Sequence, residues 1–378
     1  MKKMGLYIHI PFCIKKCGYC DFYSIEGDSN AYKSYVKYLA MEMKLHSNEY
    51  RDREIDAIFV GGGTPTILAP KELSLIFEAL RENFNLSKVK EFTFEANPET
   101  IREEKLKVLK ENGVNRLSIG LQSTWDEELQ LLERVHSYDR FLRAYEDARK
   151  AGFENINIDL MFSIPGQTRK SWEQTLEKIV KLNPEHISAY SLILEENTNF
   201  QKLKDEGKLE VPKEDTELWM FHKSIDYLQK NGYEHYEISN FAKKKKKCIH
   251  NIGYWERKDY LGLGPAAHSL VDNCRFSNVR DIVSYKESLK KGKLPQEEKQ
   301  ILTQKEALEE RIFLGLRMMK GLDLKILDKE FDINFKEEYK EILEKLESKS
   351  LITVKNDILK LTALGVDLSN RVFVEFIS

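Results

Sequence analysis

Gly5-Leu6-Tyr7-Ile8-His9-Ile10-Pro11-Phe12-Cys13, continuing through Ile14-Lys15-Lys16-Cys17-Gly18-Tyr19-Cys20-Asp21-Phe22, is the stretch on which the reading of this chain turns. Leu6 to Ile10 reads as a short buried strand that delivers three cysteines, spaced C-x3-C-x2-C, from its C-terminal end. Three thiolates so close on one loop can hold three corners of an iron–sulfur cube and leave the fourth iron without a protein ligand. Zinc is the competing reading. A structural zinc site closes four ligands, and the next cysteine, Cys248, lies more than two hundred residues away. Burial of the three as small apolar residues fits poorly with a loop containing Lys15, Lys16 and Gly18.

Outward from this loop, strands and helices alternate. Strands are expected at Leu6–Ile10, Ile55–Val60, Glu91–Glu95, Arg116–Leu121, Asn155–Phe162 and His186–Leu192. Helices are expected near Asn30–Tyr50, Pro70–Asn83, Thr100–Asn112, Tyr138–Ala151, Thr168–Leu182 and Lys213–Asn231. Such alternation means an α/β fold with a parallel sheet and right-handed crossovers. Six units suggest a barrel short of two, although the pattern alone does not separate a barrel from an open doubly wound sheet.

Residues with chemistry to offer fall at the C-terminal ends of the strands, where a parallel barrel builds its site. Gly61-Gly62-Gly63-Thr64-Pro65 follows the second strand; read alone it is a tight turn, or a place where backbone N–H groups approach a charged ligand. Glu95, Asn97 and Pro98 follow the third strand, and Gln122 and Ser123 the fourth. Asp159 lies on the fifth, and Ser188, Ala189 and Tyr190 on the sixth. Acids ending apolar strands are costly unless paired.

The opening stretch closely resembles the start of radical S-adenosylmethionine (SAM) proteins related to oxygen-independent coproporphyrinogen III oxidase. The resemblance implies a partial (β/α)6 barrel and a [4Fe-4S] cluster on Cys13, Cys17 and Cys20, with SAM chelated at the free iron. In active members, one electron from the cluster splits SAM into methionine and a 5′-deoxyadenosyl radical, which implies a low-potential donor such as a flavodoxin or ferredoxin. Carried over residue by residue, the family's SAM contacts are Tyr7, Tyr19, Gly62, Gly63, Thr64, Glu95, Gln122, Arg134, Asp159 and Ala189. Arg134 sits in Glu133-Arg134-Val135-His136-Ser137; without that context it reads as a solvated helix arginine.

Two departures count against the oxidase itself. Active oxidases carry a fourth cysteine two residues beyond the third, where this chain has Phe22, and they have an extension before the cluster loop, whereas this chain reaches Cys13 almost at once. Farther on, His250-Asn251-x-x-Tyr254-Trp255 matches the H-N-x-x-Y-W signature of a haem-chaperone branch of the same family, whose members are thought to pass haem to acceptor proteins, including respiratory enzymes. The resemblance implies His250 as an axial haem ligand and Tyr254 with Trp255 as a stacking surface for the porphyrin. The bland alternative is that His250 and Asn251 satisfy backbone groups in a loop. Oxidative decarboxylation of coproporphyrinogen III remains the alternative function.

The domains expected are a barrel over 1–240, a haem-loop and return-strand extension over 241–295, and a small winged-helix-like domain over 296–378. The boundary is placed at the Lys/Gly/Pro-rich break 290–298. In the last domain, helices at Thr303–Met319 and Phe335–Glu347 precede a hairpin across Lys355-Asn356-Asp357 and a terminal helix from Thr362. At 378 residues, 41% of them apolar, the chain can bury a substantial core. Sixty basic against 62 acidic residues leave a formal charge of −2, so no global field draws it to nucleic acid. Five cysteines in a chain this long make no disulfide framework, and no apolar run approaches the ~18 residues of a membrane span. A cytoplasmic protein is expected. The run Lys243 to Lys247 leaves peripheral membrane contact open, and dimerisation is open too.

Overall fold

The computed structural model describes residues 2–377. Among them, six parallel strands lie side by side in chain order: β1 (Lys3–Ile10), β2 (Glu54–Gly62), β3 (Glu91–Ala96), β4 (Arg116–Gln122), β5 (Ile156–Phe162) and β6 (His186–Ser191). The crossovers are α1 (Ser29–Tyr50), α2 (Pro70–Asn83), α3 (Glu103–Glu111), the pair α4 (Asp126–Leu131) and α5 (Tyr138–Lys150), and α6 (Arg169–Leu182). Strand order never reverses between β1 and β6, so there is no doubly wound switch point, and β6 does not return to pair with β1. The partial barrel expected from the alternation is the fold.

The crossover helices pack because their apolar residues repeat with the helical period. Leu73, Ile76, Phe77 and Leu80 of α2 are buried at i, i+3, i+4 and i+7. Phe141, Ala144, Tyr145 and Ala148 of α5, and Trp172, Thr175, Leu176 and Ile179 of α6, share that spacing. Leu6, Ile8 and Ile10 of β1 are fully buried within the same core.

Beyond β6 the chain adds α7 (Asn199–Asp205), α8 (Glu214–Lys230) and the hairpin of β7 (Glu234–Glu237) with β8 (Asn240–Ala242), which extends the sheet antiparallel to β6. Then α9 (Ile249–Trp255) leads to β9 (Tyr260–Leu263), which pairs parallel to the other edge of β1. The return-strand extension expected over 241–295 thus contains more than one strand. After β9 the chain turns at Gly264 into β10 (His268–Val271). Gly264 has a φ of +97°, and a Cβ there would lie 2.6 Å from the His9 carbonyl oxygen, so glycine is required.

Strand β11 (Cys274–Asn278), helix α10 (Ile282–Lys290) and strand β12 (Gln296–Ile301) complete a sheet of twelve strands among the described residues. Because β12 pairs with β11, the change of core comes after Leu302, beyond the break at 290–298. The second core gathers α11 (Gln304–Leu316), β13 (Leu322–Asp323), α12 (Leu324–Phe331), α13 (Phe335–Glu338), α14 (Lys340–Ser348), β14 (Ile352–Lys355) and β15 (Ile358–Leu361), an order that gives a winged-helix shape. Helix α12, with Leu324, Leu327 and Phe331 buried, is absent from the sequence reading, and the single helix expected over 335–347 is interrupted at Tyr339. The small domain is tied to the sheet at Glu237, which is fully buried 3.8 Å from Arg317, and the Arg317 guanidinium lies over the Trp255 ring at 4.4 Å. No helix among the described residues is long and apolar enough to cross a membrane.

Candidate functional site

The cysteine loop emerges from β1 at the C-terminal mouth of the barrel. Lys15 pairs with Glu133 at 2.8 Å, and the Gly18 carbonyl accepts from the Phe200 N–H at 3.0 Å, so the loop is held to the β4–β5 crossover and to α7. Cys13, Cys17 and Cys20 are free thiols facing one cavity of about 500 Å3. The Thr64 hydroxyl donates to Cys13 Sγ at 3.6 Å, and Arg134 Nη1 donates to Cys17 Sγ at 3.8 Å. Burial pushes the Cys20 thiol up to about 11, and it raises Cys13 as well. Cys13 and Cys20, which resist ionisation on their own, suit a metal cluster whose positive charge would ionise them. Cys248 cannot complete a zinc site with them: it is buried at the opposite end of the barrel, its thiol donating to Glu91 at 3.3 Å.

Opposite the cysteines runs Gly61-Gly62-Gly63-Thr64. Gly62 has a φ of +108°, and a Cβ on Gly63 would lie 2.6 Å from the Phe12 carbonyl oxygen and 3.0 Å from Cys13 Sγ, so only glycine lets this segment lie against the cysteine loop. The Gly62 N–H donates to Glu95 Oε2 at 3.2 Å. Burial, reinforced by the neighbouring Asp159, pushes the Glu95 carboxyl up to about 8. Burial raises Asp159 too, against the bonds it accepts from Ser118 at 3.2 Å and Asn157 at 2.7 Å. On the far wall, Tyr190 donates to Gln122 Oε1 at 2.7 Å, and Arg134 Nη2 donates to the Gly120 carbonyl at 2.6 Å. Arg134 Nε is buried with no partner, a donor left for a ligand carboxylate.

Eight of the ten carried-over SAM positions line this cavity: Tyr19, Gly62, Gly63, Thr64, Glu95, Gln122, Arg134 and Asp159. Two do not. Tyr7 lines a deeper chamber, its hydroxyl 3.0 Å from His9 Nδ1, while His9 Nε2 sits 2.8 Å from the Tyr23 carbonyl and therefore carries the proton. Ala189 faces the core on the helix side of β6, and its N–H donates to the Ser239 carbonyl, because strand alternation turns Ser188 and Tyr190 inward instead.

The deeper chamber, about 360 Å3, lies under the mouth and shares Gly62, Glu95, Ser118 and Asp159 with it. Its floor includes α9, whose N-terminal Ile249 and His250 N–H groups both donate to the Glu91 carboxylate, at 2.9 and 3.1 Å. A polar chain runs upward from that end. The Cys248 N–H meets Tyr236 Oη at 3.3 Å, Tyr236 meets His186 Nε2 at 2.8 Å, and His186 Nδ1 meets Asn157 Oδ1 at 2.6 Å; Asn157 then donates to Asp159.

The structure places His250 deep in the fold. It lies on a helix within the barrel, 4% exposed, stacked on Phe59 at 5.1 Å and met edge-on by Tyr254 at 4.6 Å. Burial, together with the nearby Arg116 charge, lowers its pKa to about 3. Trp255 points elsewhere, under Arg317, so it forms no common stacking surface with Tyr254. The lysine run also lies at this far end, with Lys243 and Lys246 bonded to the carbonyls of Asn183 and Glu154.

Arg116, His9 and Tyr190 are site residues absent from the carried-over set. Arg116 carries a legible signal, a cation opening the apolar strand Arg116-Leu117-Ser118-Ile119, to which the argument applied to strand-end acids extends.

Comparison with known proteins agrees with this architecture. Residues 7–179 match the Radical SAM superfamily, and residues 302–368 match the HemN C-terminal domain, the unit of the second core. The "Heme chaperone HemW" of Lactococcus lactis subsp. lactis is 35% identical over 376 residues, covering 100% of this chain and 98% of its own. The protein of that name from Bacillus subtilis is 37% identical over 372 residues, covering 98% of each chain. Among solved structures, coproporphyrinogen III oxidase (HemN) of Escherichia coli, a radical SAM enzyme, is similar with a TM-score of 0.86 and 25% identity, over 99% of this chain and 90% of that one. With its barrel, its cysteine loop and its C-terminal domain all matched over the full length, this chain belongs to the HemW haem chaperone family of the radical SAM superfamily.

Proposed function

We propose that this protein carries haem to acceptor proteins, holding a [4Fe-4S] cluster on Cys13, Cys17 and Cys20 and SAM in the mouth cavity. The observation that carries the reading is the end-to-end likeness to two haem chaperones. Phe22, 64% exposed where the oxidase has a cysteine, supports it. The cluster, when bound, supplies a low-potential electron and an open iron for chelation, which makes a flavodoxin- or ferredoxin-type donor the fitting electron partner.

The chain's own groups do the positioning. Arg134 offers its free Nε–H to the SAM carboxylate, while Glu95 and Asp159 accept from the ammonium and the ribose hydroxyls. Phe22 and Ile193, 64% and 66% exposed, line the mouth with Lys16, and these suit the apolar face and propionates of haem.

The test uses anaerobically reconstituted full-length protein, mixed with haem and then with a haem-depleted respiratory enzyme. One haem bound per chain and recovery of the acceptor's activity are expected; no transfer defeats the reading. A second reading, oxidative decarboxylation of coproporphyrinogen III, is favoured by the likeness to the oxidase. Formation of protoporphyrinogen IX by the same sample with a low-potential reductant would establish it.

A further inference from the structure

The deeper chamber holds a buried cation whose hydrogen-bonding capacity the protein leaves largely unused. Arg116 is 2% exposed and faces the chamber, yet its one described hydrogen bond is a long one, from Nη1 to Thr93 Oγ1 at 3.4 Å. Its Nε is buried without a partner, and no ion pair reaches it among the described residues. Glu91 and Asp159 favour its charge through space, but their hydrogen bonds go elsewhere. Glu91 accepts from Cys248, Ile249 and His250, and Asp159 accepts from Ser118 and Asn157. A buried guanidinium with most of its five donors free is costly unless something else meets it. His250 Nε2, on the same lining, is a second buried polar atom without a partner.

We infer that this chamber is a binding site for a small organic carboxylate seated on Arg116, distinct from the positions of the cluster, SAM and haem. Its carboxylate takes the free guanidinium N–H groups, for which the planar fork is matched. Its body lies among the rings of Tyr7, Phe59 and Tyr254, with the His250 edge as a further polar contact. Glu95 and Asp159 on the side shared with the mouth disfavour a multiply charged anion, which selects a monocarboxylate over a phosphate. A volume of about 360 Å3 is at the small end of ligand pockets, so a compact molecule is required. Phe22 lines both spaces. The inference is independent of the haem reading.

Acetate, propionate and benzoate are the probes, titrated calorimetrically into reconstituted full-length protein in buffer free of other carboxylates, with and without saturating SAM. The expected result is saturable binding of one molecule per chain, tightest for benzoate because of the aromatic walls, and undiminished by SAM. Arg116→Met is expected to weaken it at least about tenfold, the scale of a lost charge-assisted hydrogen bond. Ser188→Leu, which narrows the chamber and keeps the guanidinium, is expected to abolish benzoate binding should Arg116→Met not fold. The inference is overturned if none of the three binds wild-type protein, if binding survives both substitutions, or if the carboxylates compete with SAM.

Discussion

Glu95 makes SAM binding depend on pH in a direction that can be worked out. Its carboxyl, pushed up to about 8 by burial and by Asp159, is mostly protonated at neutral pH in the ligand-free protein. A ligand that brings an ammonium and a sulfonium into the cavity is held by the ionised form, so binding must expel a proton. At pH 7 about one molecule in ten is ionised; at pH 9 nearly all are. Affinity is therefore expected to rise about tenfold from pH 7 to pH 9, roughly 1.4 kcal/mol. Asp159 takes its bonds from Ser118 and Asn157, which oppose the rise that burial imposes on its carboxyl. Glu95→Gln should then bind SAM at both pH values about as weakly as wild type does at pH 7. Calorimetry in two buffers of different ionisation enthalpy reads the released proton directly. A pH-independent affinity, or an unchanged pH profile in Glu95→Gln, would refute the reasoning.

Other substitutions test the rest of the architecture. Alanine at Cys13, Cys17 or Cys20 should each abolish the broad absorption near 400 nm and the content of about four irons per chain, whereas alanine at Cys248 or Cys274 should change neither; iron loss in the last two would contradict the three-thiol assignment. Glu42 is buried, bonded by Tyr285, the Gly264 N–H and Asn278, and burial raises its pKa from 4.5 to about 7. Since the folded state holds its proton more tightly than the unfolded chain does, this group's contribution is whole below pH 4.5. It is lost as pH rises through 7, by about 3 kcal/mol. Glu42→Gln should remove that component from urea midpoints measured across the range, and parallel curves for the two proteins would exclude it. Arg317→Met strands the buried Glu237 carboxylate, costing on the order of 3–5 kcal/mol, and adding Glu237→Gln should restore much of the loss. An unchanged urea midpoint for the single variant would show that the contact does not secure the small domain.

Much of this was legible from residue order. The barrel announces itself because each parallel strand is buried on both faces and is followed by a helix with a regular apolar stripe. The mouth announces itself through Cys13, Cys17, Cys20 and the glycines after β2. What escaped has physical reasons. Strand β12, Gln296-Glu297-Glu298-Lys299-Gln300-Ile301, is mostly exposed and charged, so no apolar alternation marks it. Ala189 was assigned to the cavity by motif position, although on a strand its neighbours and not itself face that side. Tyr254 and Trp255 were read as one surface, but adjacent residues on a helix point about 100° apart. His250 carries a motif whose spacing says nothing of depth, and the acid that draws its helix under the barrel, Glu91, lies far away in sequence. Arg116 is legible as a cation opening an apolar strand, but only the structure shows how few hydrogen bonds it makes.

The pairing of β1 between β2 and β9 has a consequence for how the protein is made. The strand that carries the cysteine loop meets its second neighbour only at Tyr260–Leu263, after most of the polypeptide has left the ribosome. Until then one flank of β1 offers unpaired N–H and C=O groups, a template for mispairing with other nascent chains. Metal loading at the amino terminus before that moment would act on an unfinished scaffold, so cluster insertion in the cell is expected to follow completion of synthesis.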